Sequence, residues 1–74
     1  MVREIVNTWI ERITEEYDVK ELHQLPREVI DAEIDEAKGT IDNCTIADDD
    51  LGICCNKRYI EYLNEAIKIQ EENQ

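Results

Sequence analysis

Phenylalanine is absent from this chain of 74 residues, which holds one tryptophan, three tyrosines, one proline, two glycines and one histidine. Without phenylalanine, a core has to be built mainly from Ile, Leu, Val and Ala. Basic residues are scarce as well: eight Lys and Arg stand against nineteen Asp and Glu, for a net charge of −11. A field of that sign repels phosphate-rich surfaces, which argues against nonspecific binding to bare nucleic acid or to an anionic membrane. No apolar run approaches the ~20 residues that cross a bilayer, and no hydrophobic segment of the secretory kind follows Met1. A cytoplasmic protein is therefore expected. Three cysteines, an odd number, fit a reducing compartment better than a disulfide framework.

What the chain does have is helical period. Val2, Ile5, Val6, Trp9, Ile10, Ile13 and Tyr17 recur at steps of three, one and four, the pattern of an amphipathic helix of about four turns. Its outer face carries Glu4, Glu11, Glu15 and Asp18, with Arg12 and Glu16 spaced to pair across one turn. Asp18 to Leu25 reads as a connection in which Val19, Leu22 and Leu25 cover the end of the core. Pro26 suits the first position of a second helix, where its missing amide hydrogen is no loss. In that helix Ile30, Ile34, Ala37, Ile41 and Cys44 stay in phase, so it is expected to run through Gly39 and end near Cys44. Thr45 to Gly52 reads as the second connection, with Asp50 or Asn56 available to cap a third helix. Ile53, Cys55, Tyr59, Ile60, Tyr62, Leu63, Ala66, Ile67 and Ile69 then occupy an arc wider than one neighbouring helix needs, which predicts two packing partners. The expected fold is all-α: one three-helix domain over residues 1–74, an N-terminal helix plus a helical hairpin. A chain this short buries only ~60% of its unfolded surface, so self-association to a homodimer or larger is also expected.

The chemistry that the residues suggest is thin. Asp48-Asp49-Asp50-Leu51-Gly52 invites a calcium-loop reading, but an EF-hand counted from Asp48 places Gly52 at position five and Tyr59 at position twelve, where oxygen ligands belong. Cys44, Cys54, Cys55 and His23 form the right set for zinc but lack the spaced cysteine pair of structural sites; they read instead as small buried hydrophobes. No catalytic residue, metal ligand or cofactor site is expected. Asn56-Lys57-Arg58-Tyr59 is the one basic spot. At a helix start, Lys57, Arg58 and Tyr59 could hold a phosphate and stack a base, or the two cations could instead pair with the nearby aspartates. The acidic alternative lies on the second helix. Glu28, Asp31, Asp35 and Asp42 fall on the flank away from its apolar stripe, with Lys38 as the near counter-charge and Glu33 and Glu36 widening the band. At 1.5 Å per residue they form a ladder of anions, sparser than the ~3.4 Å charge spacing of a nucleic-acid strand but comparable to it.

The run Leu25-Pro26-Arg27-Glu28-Val29-Ile30-x-x-Glu33-Ile34-x-x-Ala37-Lys38-Gly39-Thr40-Ile41-x-Asn43, with a tyrosine-rich helix after it, resembles small uncharacterised accessory proteins carried by phages and prophages. The resemblance covers the last two thirds of the chain. It implies a viral protein acting in the bacterial cytoplasm, in a class that includes inhibitors of host defence such as anti-CRISPR proteins, and it carries no site residues with it. Together with the charge, it suggests a nucleic-acid mimic that binds and blocks a basic surface on a host protein through Glu28, Asp31, Asp35 and Asp42. Two other readings are open: a sponge for a phosphorylated or cyclic nucleotide at Lys57, Arg58 and Tyr59, and a structural or assembly protein.

Overall fold

Three α-helices and one 3-10 turn make up the fold in the computed structural model, which describes residues 1–73. Helix α1 runs Val2–Glu16, the 3-10 turn spans Leu22–Gln24, α2 runs Arg27–Ile46 and α3 runs Asp50–Glu72. The all-α reading stands, and among the described residues no helix is long and apolar enough to cross a membrane. Helix α3 packs along α1, α2 and the 3-10 turn, while the backbones of α1 and α2 stay apart along most of their length. The wide apolar arc of α3 is thus met by both other helices of the same chain. The result is an elongated body of 40 × 20 × 17 Å.

The stops of α1 and α2 are both made by aspartate. Asp18 and Asp48 take the left-handed conformation, with φ of 55° and 60°. In each case the next amide reaches back to close the helix: Val19 N donates to the Thr14 carbonyl (2.9 Å) and Asp49 N to the Cys44 carbonyl (2.8 Å). This is the Schellman arrangement, usually built on glycine because a Cβ is disfavoured there. Aspartate tolerates it through its short polar side chain. The stop after Glu16 leaves Tyr17 43% exposed, so Tyr17 does not join the apolar stripe of α1. Thr14 is buried instead, with its hydroxyl donating to the Ile10 carbonyl at 2.8 Å.

Asp49 also starts the third helix. Its carboxylate accepts from Gly52 N at 3.1 Å, so the cap of α3 is Asp49 rather than Asp50 or Asn56, and the connection shrinks to Ala47–Asp49. A Cβ on Gly52 would lie 2.6 Å from both the Asp49 carboxylate and Cys44 Sγ, which is why glycine stands at that point. Asn56 is buried inside the helix, where its amide donates to the Gly52 carbonyl at 2.8 Å. Pro26 sits one position earlier than expected, with extended backbone just outside α2.

Helix α2 does pass through Gly39 and ends two residues beyond Cys44. Gly39 is exposed, and a Cβ there would meet nothing within 4 Å. Glycine in a helix interior is less favourable than alanine by ~0.5–1 kcal/mol. Gly39→Ala is therefore expected to raise stability by about that amount, read as a higher urea midpoint at unchanged slope.

The core joins all elements: Val6 and Ile13 from α1, Leu22 from the 3-10 turn and Leu25 just after it, Ile30, Ile34 and Ala37 from α2, and Cys55, Tyr59, Leu63 and Ala66 from α3. The turn is fastened to α3 by the Gln70 amide, which donates to the carbonyls of His23 (2.9 Å) and Leu25 (2.8 Å). Val19, Leu22 and Leu25 cover the end of the core as expected.

Candidate functional site

Helical geometry at 100° per residue puts Glu28, Asp31, Asp35 and Asp42 within an arc of about 60°. All four are exposed. The stripe is not quite as the sequence suggests. Arg27 Nε donates to Asp31 Oδ1 at 3.2 Å, whereas Lys38 makes no ion pair with Asp35 or Asp42 among the described residues. The Arg27–Asp31 pair is about half exposed on both sides. Such pairs contribute ~0–1 kcal/mol and open readily to a stronger cation.

Glu33 and Glu36 do not widen this band. They lie on the other flank of α2, facing the gap between α1 and α2. That gap is a cleft of about 330 Å³ whose floor includes Ile13, Ala37, Asn56 and Tyr59, with Trp9 along the α1 side. The Trp9 and Tyr59 rings meet edge to face, centroids 5.6 Å apart at 79°, a favoured aromatic geometry. Arg12 and Glu16 line the same cleft and do not close the ion pair that their spacing allows.

Tyr59 links the cleft to the core. Its ring is only 6% exposed, and its hydroxyl donates to Glu33 Oε1 at 2.8 Å. Burial, then the hydrogen bond to Glu33 and the charges of Glu33 and Glu36, push the phenol well above its usual value of 10.0. The folded state therefore holds this proton more tightly than the unfolded chain does. The resulting stabilisation is complete below about pH 10 and is lost as pH rises beyond it. Tyr59→Phe is expected to cost ~1.5–3 kcal/mol near neutrality, the worth of a hydrogen bond to a charged group, and to flatten the alkaline loss. Urea denaturation from pH 7 to pH 11 would check both.

Lys57, Arg58 and Tyr59 are not gathered into one site. Lys57 and Arg58 are exposed, whereas Tyr59 is turned inward. Because α3 begins at Asp50, the two cations lie about two turns inside the helix, where backbone amides are already bonded. Arg58 pairs with Glu61 at 3.8 Å, not with Asp48, Asp49 or Asp50.

The cysteines and the histidine are also kept apart. His23 sits in the turn held by Gln70, while Cys54 and Cys55 lie near the start of α3. The fifteen steps from Cys55 to Gln70 rise ~22 Å along the helix, too far to share an ion. Cys55 is buried, Cys44 half-buried and Cys54 exposed, so the reading as buried hydrophobes fails for Cys54. Burial, with the Asp49 charge and hydrogen bond adding, raises the Cys44 thiol. Burial chiefly raises Cys55 too. Both are held as thiols, the less nucleophilic form.

Comparison with protein-family models, with curated proteins and with solved structures finds no match to this chain.

Proposed function

We propose that this protein binds a basic surface on a protein partner through the exposed carboxylates of α2, and that it blocks that surface. The observation that carries the reading is the arc formed by Glu28, Asp31, Asp35 and Asp42, all open to solvent on one side of a 20-residue helix. From Glu28 to Asp42 the ladder extends ~21 Å, long enough to occupy a groove shaped for a nucleic-acid backbone. The net charge of −11 adds a long-range field that speeds encounter with a basic partner. A nucleic-acid-binding host effector is the partner that suits such a decoy. This agrees with the resemblance to phage accessory proteins and with an anti-defence role of the anti-CRISPR kind in a bacterial cytoplasm.

The test begins with affinity capture from a bacterial lysate at low salt, read by mass spectrometry. The captured partner should be basic, and its affinity should fall steeply as salt rises, since exposed charges are screened beyond a Debye length of ~10 Å at 0.1 M. A partner whose binding ignores salt would refute the reading. The nucleotide-sponge reading has weaker support, because its aromatic platform, Tyr59, is buried and hydrogen-bonded to a carboxylate.

A further inference from the structure

We propose that the cleft between α1 and α2 is a second contact point, a receptacle for one arginine side chain presented by a protein partner. The proposal rests on the reading of a basic protein partner but places a contact away from the α2 stripe. Three carboxylates, Glu16, Glu33 and Glu36, and one guanidinium, Arg12, line the cleft, so its charge is net negative. Its volume of about 330 Å³ lies at the small end of the ~300–1,000 Å³ range of ligand sites, a fit for a side chain rather than for a folded segment.

The lining matches a guanidinium in particular. An arginine combines an apolar stem with a planar cation that stacks on aromatic faces and bonds carboxylates in a fork. The cleft supplies each counterpart. Ile13 and Ala37 offer apolar surface to the stem. Trp9 is only partly buried and is held edge to face against Tyr59. Glu33 is oriented by the Tyr59 hydroxyl at 2.8 Å, so one of its oxygens is anchored before any ligand arrives. Glu36 forms no ion pair among the described residues, and the Thr40 hydroxyl beside it donates to its backbone carbonyl rather than to its carboxylate. Preorganisation of this kind reduces the ordering cost of binding. Because α1 and α2 touch little, the cleft stays open without any rearrangement of the core.

Trp9 is the only tryptophan, so its fluorescence reports this cleft alone. The probe is acetyl-Gly-Arg-Gly-amide, with the citrulline peptide as its uncharged isostere, at about 0.15 M salt to suppress the long-range field. The arginine peptide should change Trp9 emission saturably and the citrulline peptide should not. Glu36→Gln should weaken the response by about fivefold, the upper end of what one exposed ion pair contributes. Glu36 is chosen because Glu33 also holds Tyr59. Replacing Glu28, Asp31 and Asp35 by lysine should leave the response within about twofold, because those residues face away from the cleft. A silent Trp9, an equal response to citrulline, or a response lost with the triple lysine variant yet untouched by Glu36→Gln would each overturn the receptacle. If Trp9 is silent while the captured partner still depends on the α2 stripe, the receptacle falls and the function proposed above stands. If Trp9 responds while the stripe variant keeps full affinity for the partner, the receptacle stands and the stripe falls.

Discussion

Replacing Glu28, Asp31 and Asp35 together with lysine is expected to leave helical content unchanged while weakening binding to the captured basic partner by well over tenfold. The structural half rests on exposure: all three side chains point to solvent, and the substitution breaks the exposed Arg27–Asp31 ion pair at 3.2 Å and removes the Glu28 charge from the first turn of α2, each worth less than ~1 kcal/mol. The binding half rests on charge. If each carboxylate contributes ~1 kcal/mol at a basic interface, losing three costs ~3 kcal/mol, or about two orders of magnitude in affinity; repulsion from the new lysines adds to that. Circular dichroism and a binding isotherm at two salt concentrations check the two halves separately. Changing Lys57 and Arg58 to alanine is the matched control and should be nearly silent, since both are exposed and Arg58 holds only Glu61 at 3.8 Å. A silent triple variant together with a disabling control would remove the α2 stripe from consideration and restore the nucleotide-sponge reading.

The largest loss of stability is expected from Leu63→Ala. Leu63 is fully buried at the middle of α3, the helix against which α1, α2 and the 3-10 turn all pack. Truncating a buried leucine costs about 2–5 kcal/mol, the transfer energy of the lost carbons plus the cavity they leave. Domains of this size hold only ~0.05–0.15 kcal/mol per residue, so one such cavity consumes much or all of the margin. The urea midpoint should fall sharply, and at the upper end of the range the variant should be largely unfolded in buffer. Ile46→Ala is the contrast: Ile46 is 86% exposed, and its loss should shift the midpoint hardly at all. Chemically similar aliphatics thus separate by position alone.

Much of this architecture is legible in the sequence because helices announce themselves by period. The spacing of Val6 and Ile13, and of Ile30, Ile34 and Ala37, places each set on one side of a helix, and each set is buried. The two-partner requirement of α3 is likewise visible in the width of its apolar arc. Helix ends are harder to read, because the usual signal is glycine: the phase of Ile41 and Cys44 carries α2 through Gly39, but no such pattern marks Asp18 and Asp48 as the residues at which α1 and α2 stop. Asp49 is legible only in hindsight, since any of three consecutive aspartates could cap α3 and geometry selects the one whose carboxylate reaches Gly52 N. The cleft has no signal in any local stretch. Tyr59 and Glu33 are 26 positions apart, and Trp9 meets Tyr59 only because α1 docks on α3.

By itself the sequence determined the all-helical class, the strongly acidic field and the arc of Glu28, Asp31, Asp35 and Asp42, because those depend only on composition and on 100° of turn per residue. Tertiary structure decided what the remaining polar groups do. Glu33 and Glu36 belong to the same helix as the stripe, yet they line a cleft on its other flank, and Tyr59, which the sequence offers both to the apolar arc of α3 and to a base-stacking spot, is a buried donor. The physical reason is that a helix dictates the angle between its own side chains but not which neighbour fills each angle. That choice was made by α3, whose aliphatic arc drew α1 and α2 to either side of it and left the space between them open.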